Sequence, residues 1–129
     1  MKSMRSPMGR VLGHGSAKEG TGHWWSQRVS AVALLLLGLW FLLSMQLLPE
    51  FGHAAVVAWL ARPSHAVLMT LLVLTVAVHS ELGIRVVVED YLHRPVARTV
   101  LLIAVRFAHV LVAAIAVFAV LSIAFGIVR

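Results

Sequence analysis

Apolar residues fall in three long blocks separated by two short polar connections. The first block, "VSAVALLLLGLWFLLSMQLL" from Val29 to Leu48, carries no charge and is closed by Pro49. The second opens near Ser64, directly after Pro63, stays apolar to Val78 and continues to about Val88 with ionisable residues mixed in. The third runs from about Thr99 to Val128, and its only ionisable residues are Arg106 and His109. Crossing a hydrocarbon core about 30 Å thick takes roughly 20 helical residues. The pattern therefore predicts an all-α integral membrane fold with three transmembrane helices, over 29–48, 64–88 and 99–128. Residues 1–28 precede them, and 49–63 and 89–98 connect them. A short interfacial helix is expected over Ala54–Ala61. Such small connections leave no soluble domain to do chemistry, so the helices are expected to pack with a partner subunit into a larger helical bundle.

Composition supports the membrane reading. Hydrophobic residues make up 60% of the 129-residue chain and charged ones 12%, with a mean hydropathy of +0.93. Ordinary globular chains are roughly 45–50% apolar and about 25% charged. Lys and Arg number 11 against 5 acids, but the excess lies beside apolar blocks and reads as topology, not as a nucleic-acid surface. Lys2, Arg5, Arg10, Lys18, Arg28, Arg94 and Arg98 lie on one side of the membrane, Arg62 and Arg129 on the other. That asymmetry predicts an N-terminus inside and a C-terminus outside. Trp24 and Trp25 are expected at the inner interface and Trp59 near the outer one. The first apolar run starts too late for a secretory signal and reads as a retained anchor, although Met1–His14 has the acid-free, Arg-bearing composition of a transit peptide. With no Cys, any metal or cofactor ligand has to be His, Met or oxygen.

The candidate chemistry sits at the end of the second block, in "VHSELGIRVVVEDYLHRP". At about 100° per residue, His79 and Asp90 lie within about 20° of one helix face and about 16 Å apart along it. Gly83 falls on the same stripe. Two readings of His79 follow from the residues alone: a neutral imidazole suits a haem iron, and an intramembrane His also serves to hydrogen-bond a neighbouring helix. Gly83 leaves room for a flat macrocycle or a close helix. Asp90 and Tyr91, at head-group level, suit the carbonyl of a small amphipathic ligand such as a quinone. Arg85, Glu89 and Arg94 are placed to snorkel. Glu81 lies deeper, where a charge costs roughly 2.5–3.5 kcal/mol, and is expected to meet Arg85 one turn on. His14, His53, His65 and His93 read as solvated or capping residues, and Met45 and Met69 as core.

The stretch "HSELGIRVVVEDY", with its His, three residues, Gly, six residues and Asp-Tyr, resembles the small D-type membrane-anchor subunits of succinate dehydrogenase, respiratory complex II. "GSAKEGTGHWWSQRVSAVAL" is similar to the segment before the first helix in bacterial members of that family closest to mitochondria. The resemblance covers residues 13 to about 98 and continues through the third block only as a hydrophobic pattern. It implies that His79 is one axial ligand of haem b, the other coming from the partner C-type cytochrome b anchor subunit. It also implies that Tyr91 donates to a ubiquinone carbonyl, that Asp90 helps position the quinone, and that Arg28, with His23 the weaker companion, approaches the haem propionates. The iron-sulfur and flavoprotein subunits would be the further partners, passing electrons from succinate to ubiquinone.

Three rival readings are a fumarate reductase anchor using menaquinone, a transporter or channel subunit whose Glu81, Arg85 and Asp90 line an ion path, and a self-contained cytochrome pairing His79 with His109.

Overall fold

The computed structural model describes Met8 and residues 20–127. The transit-peptide reading of Met1–His14, four of the cations used for orientation (Lys2, Arg5, Arg10 and Lys18), Arg129 and the end of the third block at Val128 lie wholly or mostly outside these residues. The chain is all-helical among the described residues: α1 spans Gly20–Gln46, α2 His53–Leu60, α3 Pro63–Tyr91 and α4 Pro95–Ala124. Helices α1, α3 and α4 are long and apolar enough to cross a membrane. At 29 and 30 residues, α3 and α4 are each about 45 Å long, so their ends project beyond a core of about 30 Å. The helices accordingly start earlier than the apolar blocks, α1 already at Gly20.

Proline and glycine set the boundaries. Pro63 and Pro95 occupy the first turns of α3 and α4, where a missing N–H costs nothing and the fixed φ suits a helix. The residues before them, Arg62 (φ −71°, ψ 128°) and Arg94 (φ −78°, ψ 112°), are extended, because the proline ring disfavours the helical region there. Only Leu92, His93 and Arg94 separate α3 from α4. Helix α4 stops short of the expected end at Val128. Gly126 takes φ +69°, the Ile127 N–H bonds the Ser122 carbonyl at 2.8 Å, and the Gly126 N–H bonds that of Ile123 at 3.0 Å. This paired pattern is the glycine-dependent helix stop known as a Schellman motif.

Helix α3 is the centre of the arrangement. It packs along both α1 and α4, whose backbones do not approach each other among the described residues, and α2 lies across the α3–α4 end. The most closely packed region is at that end, where Trp59, Leu60, Ala66 and Val120 are buried and Trp40, Met45 and Met69 pack against them. Trp59 stacks on Trp40 with centroids 5.6 Å apart and meets Phe41 edge-on at 6.2 Å.

One expectation changes here and another is resolved. Trp59 is not a surface aromatic; it is 5% exposed, because the α2–α3 corner folds it under α1. His65, read as solvated or capping, takes the capping role: it lies 4.6 Å from the Trp59 ring and bonds the Trp59 carbonyl, in the last turn of α2, through Nδ1 at 2.8 Å. The expected helix at 54–61 is present as α2.

Little of the spanning surface is covered within the chain. Of the most apolar windows, 6% is buried in α1, 6% in α3 and 11% in α4, leaving the remainder to lipid or other subunits. Trp59→Ala should lower the unfolding free energy of the detergent-solubilised protein by roughly 3–5 kcal/mol, the range for losing a buried Trp. Trp25→Ala, on an exposed face, should change it by less than about 0.5 kcal/mol. Equal effects in an SDS titration would show that α2 is not packed as described.

Candidate functional site

A polar seam joins α1 to α3. His23, Gln27 and Ser30 are four and three residues apart and share one face of α1, while His79 and Gly83 share one face of α3. The seam brings these faces together. His79 Nδ1 lies 3.0 Å from Ser30 Oγ, and His79 Nε2 lies 3.4 Å from the Gln27 amide nitrogen. The Ser30 hydroxyl also donates to the Gln27 backbone carbonyl at 3.1 Å. Ser30 is buried and the other members are half-buried. Two buried polar atoms of the seam, His23 Nε2 and Gln27 Oε1, have no hydrogen-bond partner among the described residues.

Gly83 lies beside the seam without being crowded by it. A Cβ built there would meet only the Gln27 amide nitrogen, at 3.9 Å, which is ordinary contact. Packing of α1 on α3 therefore does not require glycine. Arg28 points away from the seam; its guanidinium lies 5.1 Å from the centre of the Trp24 ring, at cation–π range.

Asp90 and Tyr91 are at the far end of α3 and are exposed, Tyr91 to 81%. Their side chains make no hydrogen bond among the described residues, and the Tyr91 carbonyl accepts from His93 Nδ1 at 3.2 Å. The chain thus brings His79, Gly83, Gln27, Ser30 and His23 into one neighbourhood but leaves Asp90 and Tyr91 at a separate level, about 16 Å along the helix.

The opposite face of α3 is polar too. Glu81 pairs with Arg85 at 3.4 Å, one turn on, and lines a groove of about 460 Å³ with Arg106 and His109 of α4. The intramembrane carboxylate therefore has one cation on its own helix, which offsets part of its insertion cost, and shares the groove lining with Arg106 and His109. His109 donates through Nδ1 to the Val105 carbonyl at 2.8 Å and faces the α4 side of α3, away from the α1 side to which His79 is turned. The pairing of His79 with His109 is not formed.

Ser30 and Gln27 are the residues that sequence reading missed. Their signal is present: His23, Gln27 and Ser30 recur at helical spacing, but the first two precede the apolar block and Ser30 looks like a small residue within it.

A family model for succinate dehydrogenase/fumarate reductase transmembrane subunits matches residues 2–126. The chain is similar to a succinate dehydrogenase hydrophobic membrane anchor subunit of Rickettsia bellii (strain RML369-C), with 35% identity over 108 residues covering 83% of this chain and 86% of the relative. It is also similar to the subunit of that name from Paracoccus denitrificans, with 31% identity over 121 residues covering 94% and 93%. No solved structure matches the chain.

Removing Arg85 leaves the Glu81 carboxylate without its salt-bridge partner on α3. Arg85→Ala should destabilise the solubilised protein more than the double variant Arg85→Ala/Glu81→Ala does, with a coupling of about 0.3–0.5 kcal/mol for this partly exposed pair. A double variant less stable than Arg85→Ala in the same titration would mean that Glu81 is held chiefly by other groups.

Proposed function

Because the chain belongs to the family of succinate dehydrogenase/fumarate reductase transmembrane subunits, we propose that it is the membrane anchor of a succinate:ubiquinone oxidoreductase, in which His79 is one axial ligand of a haem b and Asp90 with Tyr91 forms this chain's part of the ubiquinone site. In this reading the second axial ligand comes from a C-type anchor subunit, and iron-sulfur and flavoprotein subunits dock at the Tyr91 end of α3. The N-terminus then lies on the cytoplasmic side of a bacterial inner membrane.

The observation that carries the haem reading is the seam around His79. An imidazole turned inward, with one ring nitrogen held by Ser30, has the arrangement of a metal-ligating His whose other nitrogen is fixed by an outer partner. The polar atoms nearby suit the group as well. His23 Nε2 is buried without a partner and fits a propionate oxygen, Arg28 is a cation at the same end of α1 that would have to leave the Trp24 ring to reach one, and a Cβ at Gly83 would meet only ordinary contact. Among the described residues no three His or carboxylate groups converge, so iron at His79 would take its other ligands from a macrocycle and another chain. Bound there, the haem supplies a one-electron centre whose potential is set by its axial ligands, burial and hydrogen bonding.

The quinone level works by different means. The Tyr91 hydroxyl is a donor at the end of a rigid helix and is 81% exposed, so it is free to reach a carbonyl oxygen. Asp90, beside it, is an acceptor that orients the ring and exchanges protons with the aqueous side. The pocket walls are left to other subunits, consistent with a pair of functional groups presented bare.

Two variants of the assembled complex test the two levels separately. His79→Ala should abolish the b-type band in a reduced-minus-oxidised spectrum; an unchanged band would rule out His79 as a ligand. Tyr91→Phe should lower quinone reduction by roughly tenfold, equivalent to about 1.4 kcal/mol for a lost hydrogen bond, while succinate oxidation by an artificial dye persists. Equal loss of both activities would indicate failed assembly in place of a quinone contact.

A further inference from the structure

The heavy-atom contacts of the seam accommodate a specific tautomer of His79. A serine hydroxyl has a single hydrogen. That of Ser30 is used on the Gln27 backbone carbonyl, an acceptor only, at 3.1 Å. With the hydroxyl hydrogen on that carbonyl, Ser30 Oγ meets His79 Nδ1 at 3.0 Å as an acceptor, and Nδ1 carries the proton. The second contact agrees: Nε2 faces the Gln27 amide nitrogen, a donor, at 3.4 Å, and so carries a lone pair. Exchanging the oxygen and nitrogen of the Gln27 amide would remove this second indication but not the first, which rests on a backbone carbonyl.

We infer that Ser30 is the positioning residue for the haem ligand, holding His79 as the Nδ1–H tautomer with its Nε2 lone pair available to iron. The inference rests on the proposed reading of His79 as an axial ligand and adds to it a residue of this chain that touches neither iron nor quinone. Ser30 suits the task because it is buried and its Oγ is fixed by an intrahelical bond, so the ring is restrained in rotation as well as in protonation. The Gln27 amide makes the longer contact, 3.4 Å at Nε2, and would have to yield that position to iron. A hydrogen bond from Nδ1–H to an oxygen raises the basicity of Nε2 and favours the ferric state. Loss of that bond therefore raises the midpoint potential and weakens retention.

The test uses the assembled, detergent-solubilised complex. It reads the midpoint potential by redox titration of the b-type band, and the rate of haem loss to an apo-globin acceptor. Ser30→Ala should keep a b-type spectrum while shifting the midpoint upward and speeding haem loss about tenfold or more, the usual scale for an outer partner of a metal ligand. Ser30→Thr, which keeps the hydroxyl, should restore both toward the unsubstituted complex. If Ser30→Ala does not assemble, Ser30→Thr is compared with Ser30→Val, nearly the same in shape and lacking only the hydroxyl. Unchanged midpoint and loss rate in the hydroxyl-free variant, or a Thr variant that behaves like it, would overturn the role of Ser30 even if His79→Ala abolishes the band. Survival of the band in His79→Ala would instead overturn the ligand assignment itself.

Discussion

In a hydrocarbon interior a polar side chain has no water to turn to, and α3 carries more of these than either of its neighbours. His79, Ser80, Glu81 and Arg85 all lie along its middle and lower turns, so each must find a partner within the protein. The helix meets this demand by dividing its circumference. His79 and Gly83 turn to α1, where Ser30 and Gln27 wait. Glu81 turns toward Arg85 and the Arg106–His109 face of α4. Ser80 bonds the Val76 carbonyl of its own backbone at 2.7 Å. The positions of α1 and α4 on either side of α3 follow from where these groups point.

The helices and their order were legible in the sequence because lipid leaves few alternatives: an uncharged run of sufficient length, closed by proline, has one stable conformation in a membrane. The i,i+4 pairing of Glu81 with Arg85 was legible for the same local reason. What escaped was non-local. Nothing in the pattern around Trp59 or His65 shows that the α2–α3 corner tucks both under Trp40, since an indole near a membrane surface has the same local sequence whether it faces lipid or protein. Ser30 was missed because its role depends on a helix about fifty residues further along the chain. Asp90 and Tyr91, read as part of the connection 89–98, are the last two residues of α3, and the chain alone encloses nothing around them.

The uneven distribution of packing fits the role of a subunit. The apolar packing of the aromatic corner around Trp59 is supplied within the chain, although the buried Trp59 Nε1 has no partner among the described residues, and the seam too retains unpartnered buried atoms while the Tyr91 end is bare. The packed corner holds the three long helices together. The regions left incomplete are those where family membership leads one to expect other chains and a cofactor.

The three-residue link between α3 and α4 also bears on how the chain enters the membrane during synthesis. Inserted singly, α3 would carry the Glu81 carboxylate into lipid with Arg85 alone for company, and α4 would carry Arg106 with no counter-charge on its own helix. The prolines at the start of both helices and the short link between them make it natural for the two to leave the translocation machinery as one hairpin. Their charged faces would then be turned toward each other before either meets the acyl chains. The link that sets the distance between two helices in the finished protein would in this way also decide when, during biogenesis, their charges are first sheltered.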